Sequence, residues 1–382
     1  MNNLLSQLAV DCAKRHLVLT YVADDGKILE ITPHDSSSFD VVPLSFQQLL
    51  QSLDSPSPTL PLTIHNASAP AAATGLIADG PLVVAAKLSL NGPILAYGLV
   101  DGGWLPLPMA FKRIALLDRN VVISLEKFHS SPNAKNSNWP NWLGLDAETL
   151  SPMLFALEGP NRKVPTDFQM RVELNRAVKI LTSLFPAAKV QHVSTKQRKA
   201  LLRTVLQHSE TRTRATRLLT KAAPLVVDRV KQEHRKKLEA EVLRIAKTEY
   251  VGADSLPVIA LLSCIYDGGG VSCSHRAATP GRAVLKPKSS YSAEDAYNAL
   301  ADLFFLELML HIFEFFPEDH PVLYTRDVGI TAFWSALQPT QRQRTHLCNQ
   351  RVKITVTFRL SNGLFPSLTD TELGALKHRL GL

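Results

Sequence analysis

Four acidic side chains occupy positions in this 382-residue sequence where a carboxylate is unusual. Asp118 directly follows the apolar run IALL, and Glu158 ends the apolar segment MLFALE. Asp302 interrupts the apolar stretch ALADLFFLELML, and Asp327 follows the short segment that ends in LYT. A carboxylate among buried apolar residues is costly unless it is paired or binds a metal ion. Oxygen ligands of this kind suit Mg²⁺ or Mn²⁺, and such ions can activate water and stabilise displacement at phosphorus.

Two of these acids follow predicted strands. Residues 114–117 and 322–325 are short apolar runs, which is typical of strands buried on both faces. In an open α/β sheet, the carboxyl ends of parallel strands form the edge where ligands bind. Asp118 and Asp327 would therefore converge if the two strands are neighbours.

A third acid belongs to a long helix predicted over residues 292–316, with Ser292 as its N-cap. Asp295, Asn298 and Asp302 are spaced i, i+3 and i+7, so they share one face of this helix. A polar stripe on a mostly apolar helix needs either solvent or a site. Several carboxylates gathered in one place would repel one another unless divalent cations neutralise them.

Each acid also has an ordinary structural explanation. Asp118 could cap a turn, and Asp327 could be a loop residue. Glu158 could be the solvated end of a helix predicted over residues 147–157. Asp295 suits the first turn of a helix, where the helix dipole favours an acid. A single α/β sheet would nevertheless bring these positions together, which favours a site.

The basic residues permit a polyanionic partner. The formal net charge is +8, which is compatible with nucleic-acid binding without proving it. Lysine and arginine concentrate in residues 195–250, a predicted helical stretch that Pro224 divides into at least two helices. Charge runs are usually solvated helix faces, but acids are sparse in the first part of this stretch, which favours phosphate contact. The candidate phosphate contacts are Arg212, Arg214, Arg217, Lys236 and Lys237.

Composition disfavours several other classes of protein. The sequence is 45% hydrophobic, enough for a sizeable core, and its length suggests about two to three domains. The four cysteines lack the paired spacing of a zinc site, and the sequence has no P-loop or nucleophile elbow. The first residues do not resemble a secretory signal, and the longest apolar run, residues 300–316, is short for a membrane span and contains acids. We expect a soluble, cytoplasmic protein without a membrane partner.

The order of the predicted elements indicates an α/β fold. Residues 1–110 predict a small β-rich or α+β unit of unassigned role, with hairpin turns at residues 24–26 and 91–92. Over residues 111–382, strands alternate with helices, which predicts a mainly parallel sheet flanked by helices. A basic helical insertion is predicted within this second unit at about residues 193–255.

The acidic motifs resemble those of the PIN-domain nucleases. The hallmark of that family is an aspartate after the first strand with an asparagine two residues later. Acids on two helices follow, and then a Thr-x-Asp at the end of a later strand. The matching residues are Asp118 and Asn120 in LLDRNVVI, Glu158 in ALEGPNR, Asp302 in DAYNALAD, and Thr325 with Asp327 in LYTRD. The resemblance covers about residues 114–337 and implies a PIN-like parallel sheet flanked by helices.

The resemblance implies a Mg²⁺- or Mn²⁺-dependent phosphodiesterase that cleaves RNA, or else DNA, in a toxin-like or defence-like setting with a protein inhibitor as a further partner. The implied metal ligands are Asp118, Glu158, Asp302 and Asp327, with Asp295 as the alternative to Asp302. The residues expected to orient substrate or ligands are Arg119, Asn120, Asn298, Thr325 and Arg326. The chain is larger than a compact family domain, which leaves the substrate open. The alternatives are a non-catalytic nucleic-acid-binding or assembly protein on a degenerate PIN-like fold, and a protein-interaction scaffold.

Overall fold

The structure, a computed structural model, describes the chain from residue 19 to residue 382 with gaps. The described residues are 19–22, 28–33, 40–68, 82–89, 93–109, 114–130, 149–159, 163–267, 279–346, 352–358 and 360–382. The turns predicted at residues 24–26 and 91–92 lie outside these ranges.

The described strands form three sheets. Their bounds are β1 Leu19–Val22, β2 Ile28–Pro33, β3 Asp40–Val41, β4 Thr59–Ser68, β5 Leu82–Ser89, β6 Tyr97–Val100, β7 Gly103–Pro106, β8 Ile114–Leu117, β9 Thr149–Ser151, β10 Lys189–Val190, β11 Val322–Thr325, β12 Pro339–His346 and β13 Val352–Phe358. The strand orders are β1-β2-β4-β3 with β5 paired to β4, β10-β9-β8-β11-β6-β7, and β12-β13. Strand β1 is antiparallel to β2, as the turn signal between them predicts.

Helices surround these sheets. Their bounds are α1 Phe46–Leu53, α2 Arg119–Ser130, α3 Met153–Glu158, α4 Asp167–Leu184, α5 Thr195–Gln207, α6 Ser209–Ala222, α7 Gln232–Thr248, α8 Leu256–Ile265, α9 Pro280–Leu285, α10 Ala293–Phe315, α11 Val328–Leu337 and α12 Asp370–Leu380. Short 3₁₀ turns occupy Leu107–Met109, Ala223–Val226 and Pro317–Asp319. The predicted N-cap Ser292 begins α10, because its side chain accepts a hydrogen bond from the Asp295 N–H.

The central sheet is mainly parallel. Strands β10, β9, β8 and β11 run parallel to one another, while β6 and β7 extend the sheet with antiparallel pairing. Each parallel connection passes through helices, so helices cover the sheet. The prediction of a mixed α/β fold with a mostly parallel sheet is confirmed.

The hairpin predicted at residues 91–92 is wrong. Strand β5 pairs with β4, whereas β6 pairs with β11 and β7. All residues of β6 are buried, so its place in the central sheet removes apolar surface from water that a surface hairpin would leave exposed. Tertiary burial thus overrides the local turn preference of Asn-Gly. The predicted N-terminal unit, residues 1–110, therefore contributes β6 and β7 to the central sheet.

The helix predicted over residues 147–157 is wrong in its first half. The described part of this segment begins with strand β9, which is parallel to β8 with Leu150 opposite Ala115. Pro152 then separates the strand from α3, since proline can precede a helix but cannot donate within one. The apolar residues that indicated one helix are thus divided between a strand and a short helix.

The basic stretch forms three helices, α5, α6 and α7. The predicted break at Pro224 is confirmed, because the 3₁₀ turn Ala223–Val226 separates α6 from α7. Each of these helices buries apolar residues in the core, for example Leu202 of α5, Leu218 of α6 and Val242 of α7. Helix α6 packs against α10, and α8 packs against α7 and α9. The insertion is therefore part of the same apolar core as the rest of the described chain.

Helix α10 runs through the core. Among the described helices, it is the one long and apolar enough to cross a membrane, and it extends further than the run at residues 300–316 that the sequence indicated. Of its most apolar window, 56% is buried inside the protein. Such burial is typical of the core helix of a soluble protein.

Glycines allow α9 to pack closely between α8 and α11. A Cβ atom added at Gly281 would lie 2.8 Å from the Ser263 Cβ atom. A Cβ atom added at Gly329 would lie 2.9 Å from the carbonyl carbon of Ala283. These separations are shorter than van der Waals contact, so the three helices could not approach this closely with larger residues.

We expect the Gly281→Ala substitution to lower the free energy of unfolding by about 1–3 kcal/mol, because it overpacks the contact between α8 and α9. Gly374→Ala in α12 is the control, since the added methyl group would have no atom within 4 Å beyond its chain neighbours and the backbone of its own helix. The control should be neutral or stabilising by up to about 1 kcal/mol, the helix preference for alanine over glycine. Urea unfolding measures both values, and equal effects would contradict the packing argument.

Candidate acidic site

Adjacent strands place two predicted acids at one edge of the sheet. Strands β8 and β11 are parallel, with Leu117 opposite Tyr324. The Asp118 N–H donates to the Tyr324 carbonyl oxygen at 3.0 Å, which places Asp118 beside Thr325. Asp327 follows two residues later, at the same carboxyl edge. The structure therefore brings these two strand ends together.

Asp118 is buried and accepts three hydrogen bonds. The Thr325 hydroxyl donates to its Oδ2 atom at 2.7 Å, and the Arg119 N–H donates to its Oδ1 atom at 2.6 Å. Asn120 Nδ2 donates to Oδ2 at 3.4 Å. Burial raises the pKa of the Asp118 carboxyl, whereas these hydrogen bonds lower it. Thr325 and Asn120 thus fix the orientation of Asp118.

Asp327 combines a structural and an electrostatic role. Its Oδ1 atom accepts hydrogen bonds from the Gly329 and Ile330 N–H groups at 2.7 and 3.3 Å, as the N-cap of α11. Its Oδ2 atom accepts a hydrogen bond from Lys286 Nζ at 3.0 Å. Its own N–H donates to Thr325 Oγ1 at 3.0 Å. Helix capping therefore accounts for one carboxylate oxygen, while the other faces a cation.

Asp302 and Glu158 complete the acidic cluster, which consists of Asp118, Glu158, Asp302 and Asp327. Burial raises the pKa of Asp302 well above its usual range. The charges of Asp327, Asp118 and Glu158 raise the same pKa further, while Lys286 lowers it. Burial also raises the pKa of Glu158 to about 8, and the Asp118 charge adds to this effect. Glu158 and Asp302 are both partly exposed, so the neighbouring protein atoms remove part of the water around each carboxyl.

Asp295 serves the start of α10. Its Oδ2 atom accepts hydrogen bonds from the Ser292 N–H at 3.1 Å and the Ser292 hydroxyl at 3.0 Å. Its Oδ1 atom accepts from Lys288 Nζ at 2.7 Å, and this hydrogen bond lowers the pKa of Asp295. The ordinary explanation thus accounts for both of its oxygens. Asn298 lies partly buried on α10, between Asp295 and Asp302.

The donor chemistry of the acidic cluster suits a divalent ion. Carboxylates are the hard oxygen ligands that Mg²⁺ and Mn²⁺ prefer, and a cation would relieve their mutual repulsion. In the part of the chain that the structure describes, no three His, Cys, Asp or Glu side chains lie close enough together to hold one ion. Binding of an ion by Asp118, Glu158, Asp302 and Asp327 would therefore require these carboxylates to draw together.

Arg119 contacts the helices beside the acidic cluster. Its Nη1 atom donates to Glu173 Oε2 at 3.2 Å, and its guanidinium lies 4.9 Å from the centre of the Phe155 ring. Its charge lowers the pKa of Glu158, against the larger effect of burial. Arg119 therefore packs against α3 and α4 and acts on the acids through its charge.

An open cleft of about 510 Å³ adjoins the acidic cluster. It lies between α2, the end of α9 and the start of α11, and we call it the α2–α11 cleft. Its lining residues include Asn120, Ser124, Lys127, Lys286, Arg326 and Asp327. Arg326 Nη1 donates to Ser124 Oγ at 2.5 Å across the cleft. No sequence pattern distinguishes Lys127 and Lys286, because only the packing of α2 and α9 brings them to this place.

Two of the predicted phosphate contacts, Arg214 and Arg217, are paired with acids. Arg217 Nε donates to Glu249 Oε2 at 2.5 Å, and Lys221 Nζ donates to Glu249 Oε1 at 2.6 Å. Arg214 forms an ion pair with Glu210, one helical turn earlier. Glu249 follows α7, so the acid that is missing near Arg217 in the sequence comes from another helix. This pairing supports helix packing as the role of these charges.

The other basic candidates differ in their exposure. The Arg212 guanidinium lies 5.1 Å from the centre of the Tyr297 ring and 5.3 Å from that of Phe304, and burial lowers its pKa. Lys236 and Lys237 are exposed on α7. Arg212 therefore packs between α6 and α10, whereas the two lysines, like Arg217, are exposed.

Comparison with known proteins gives no family assignment. No family model, curated protein or solved structure matches this chain. The resemblance to PIN-domain nucleases therefore stays a prediction from the motifs.

We expect the stability of the metal-free protein to depend on pH through Glu158. The pKa of this carboxyl is about 8 in the folded protein, against an ordinary value of 4.5, so the folded state retains a proton that the unfolded state releases. The contribution of Glu158 to the free energy of unfolding is fully present below its pKa in the unfolded chain. This contribution is lost as the pH rises through its pKa in the folded protein. Calorimetric melting in EDTA should show this loss between about pH 5 and about pH 8.5.

Glu158→Gln removes the titrating group and nearly preserves its shape. Its melting temperature should therefore fall less than that of the wild type over the same pH range. Glu372→Gln is the matched control, because the pKa of Glu372 is lowered by the Thr369 N–H rather than raised. A Glu158→Gln variant with the wild-type pH profile would contradict this expectation.

Proposed function

We propose that this protein is a divalent-metal-dependent nuclease that hydrolyses phosphodiester bonds, with RNA as the preferred substrate and DNA as the alternative. The observation that carries the proposal is the acidic cluster, in which four separate elements bring Asp118, Glu158, Asp302 and Asp327 within electrostatic reach. Its position at the carboxyl edge of a parallel sheet is where α/β folds bind ligands. We further infer that the described α/β fold is PIN-like.

The raised pKa values support a chemical role for the acidic cluster. Gathering buried carboxylates is unfavourable, and perturbed acids of this kind concentrate at functional sites. Asp302 is especially informative, because it interrupts the core helix α10 where an apolar side chain would be more stable. The capping role of Asp327 does not extend to Asp302 or Glu158.

The four acids would bind a divalent ion, and their neighbours would hold them in place. When bound, a divalent ion supplies an activated water and stabilises the charge that develops at phosphorus. Asp118, Glu158, Asp302 and Asp327 would hold it. Thr325 and Asn120 keep Asp118 oriented, and α10 and the α11 N-terminus hold Asp302 and Asp327. Because ligation requires deprotonated carboxylates, binding of the ion would release protons.

The second candidate is a non-catalytic nucleic-acid-binding or assembly protein on a degenerate PIN-like fold. Two observations favour it. Lys286 already neutralises Asp327, and no three acids in the described chain are spaced to hold one ion. A cytoplasmic toxin-like or defence-like setting with a protein inhibitor is a proposal that derives from the motif resemblance.

We expect purified protein to cleave members of an RNA and DNA panel with Mg²⁺ or Mn²⁺ but not with EDTA. Asp118→Asn and Asp327→Asn should each lower the cleavage rate by about 100-fold or more, since loss of even an indirect metal contact costs about 10–100-fold. A gel assay with end-labelled substrates measures both changes. If the Asp118→Asn variant still cleaves in a metal-dependent manner, the proposed metal site is wrong.

Asp295→Asn is the matched control for these variants. Asp295 lies on the same helix as Asp302, but its oxygens bind Ser292 and Lys288. The control should therefore cleave at close to the wild-type rate, with a lower melting temperature from the weakened helix cap. If the wild type cleaves nothing yet binds nucleic acid in a salt-dependent manner, the non-catalytic candidate replaces the nuclease.

A further inference from the structure

The α2–α11 cleft carries three cationic side chains beside the acidic cluster: Lys127, Lys286 and Arg326. We propose that this cleft binds the phosphate backbone of single-stranded nucleic acid, and that these three residues, rather than the basic helices α5 to α7, contact the phosphates. The choice of nucleic acid rests on the proposed function. The placement of the strand rests on the geometry of the cleft.

Lys286 is the most informative of the three. Its backbone is left-handed, with φ of 50°, at the end of α9. Glycine is the usual residue in this conformation, because any other side chain costs roughly 1–2 kcal/mol. This conformation sets the direction in which the Lys286 side chain leaves the end of α9. Lys286 Nζ lies 3.0 Å from Asp327 Oδ2, and the side chain is 54% exposed, so a phosphate entering the cleft can reach it.

The protein holds α9 firmly, which fixes the position of Lys286. The Arg282 guanidinium donates to Asp267 Oδ2 at 2.5 Å and to the Val227 carbonyl oxygen at 2.8 Å. The Tyr291 hydroxyl donates to the Leu285 carbonyl oxygen at 2.6 Å. These bonds tie the middle and the C-terminal end of α9 to neighbouring elements. A cation held in this way is preorganised for a ligand.

Arg326 and Lys127 extend the positive charge away from the acids. Both side chains are exposed, and Arg326 lies next to Asp327 in the chain. A guanidinium can bind two phosphate oxygens at once, whereas an ammonium acts as a compact charge. Ile123 and Val328 add apolar surface to the same cleft, which suits the sugars and bases of a strand. The lining therefore matches the mixed chemistry of a polynucleotide.

The dimensions favour a single strand. The cleft volume of about 510 Å³ falls within the roughly 300–1,000 Å³ of typical small-ligand sites. Asp118 is only 5% exposed, and Asp327 is the member of the acidic cluster that lines the cleft. A flexible single strand can direct a phosphate inward, whereas the phosphates of a duplex remain on its rigid outer surface.

The basic helices are the competing surface. Arg214, Arg217 and Lys221 form ion pairs with acids of the protein, as Lys286 does with Asp327, but they lie outside the lining of the α2–α11 cleft. Lys236 and Lys237 are exposed on α7, outside the lining of the α2–α11 cleft. These two lysines therefore provide a control of similar exposure, in which two positive charges are removed against three in the cleft.

The test measures binding separately from cleavage. All variants carry Asp118→Asn and are titrated in EDTA against fluorescein-labelled single-stranded RNA, single-stranded DNA and duplex DNA, with anisotropy as the readout. The combined Lys127→Gln, Lys286→Gln and Arg326→Gln variant should bind single strands at least about tenfold more weakly. The slope of log affinity against log salt concentration should decrease in magnitude by about two to three, because each lost phosphate contact removes about one unit of slope. The combined Lys236→Gln and Lys237→Gln variant should bind within about twofold of the parent.

Further variants guard against a loss of folding. Lys286→Arg keeps the charge and should keep most of the binding. Each single glutamine variant should reduce the salt dependence by about one contact, and melting temperatures confirm that each variant is folded. Unchanged binding in the cleft variant, or a larger loss in the Lys236 and Lys237 variant, would overturn the proposal. Duplex binding as tight as single-strand binding would overturn the choice of a single strand.

The outcomes also separate this proposal from the nuclease proposal. If the wild-type protein cleaves nothing but the cleft variant loses binding, the cleft stands and the nuclease does not. If the wild type cleaves with metal while the cleft variant binds normally, the nuclease stands and the cleft does not. Because binding is measured in EDTA on an inactive background, neither result depends on the other.

Discussion

The parallel pairing of β8 with β11 is the constraint on which the candidate site depends. It joins Asp118 to the Tyr324 carbonyl oxygen and to the Thr325 hydroxyl, although Asp118 and Thr325 are 207 positions apart in the chain. Because side chains alternate between faces, a slip of one residue would turn these groups to opposite sides of the sheet. Every residue of β11 is buried, so apolar packing on both faces prevents that slip. Ordinary core packing thus sets the geometry of the polar groups.

The acidic cluster is electrostatically unfavourable, and the rest of the site offsets part of this cost. Burial raises the pKa of Asp118, Glu158 and Asp302. Hydrogen bonds from Thr325 and the charge of Lys286 act in the opposite direction. Well-packed apolar side chains often stabilise a core more than buried charges do. Selection for stability alone would therefore not bring these acids together. For this reason the acidic cluster is stronger evidence of a function than any single motif.

The sequence is informative about this site where the signals are local. A short apolar run predicts each strand that ends in an acid, and Ser292 marks the start of α10. Partners that are distant in the chain are not predictable in this way. Strand β6 joins β11 because burial outweighs a turn preference, and Glu249 neutralises Arg217 from another helix. Lys286 is the clearest case, because its role depends on how α9 packs and no local pattern distinguishes it from other surface lysines.

Asp327 shows why the ordinary and the functional explanations of these acids need not compete. One of its oxygens caps α11, which fixes the carboxylate to the end of a helix that is buried from Gly329 onward. The other oxygen faces Lys286 at the mouth of the α2–α11 cleft. The helix cap therefore supplies the rigidity that a binding or catalytic group requires, since a site works best when its side chains are held by their own structural contacts. Asp295, which caps α10 with one oxygen and binds Lys288 with the other, has the rigidity without the neighbouring acids. The two aspartates thus differ in their surroundings. Asp327 lies at the edge of the sheet, where the chain brings three other carboxylates within electrostatic reach, and Asp295 does not.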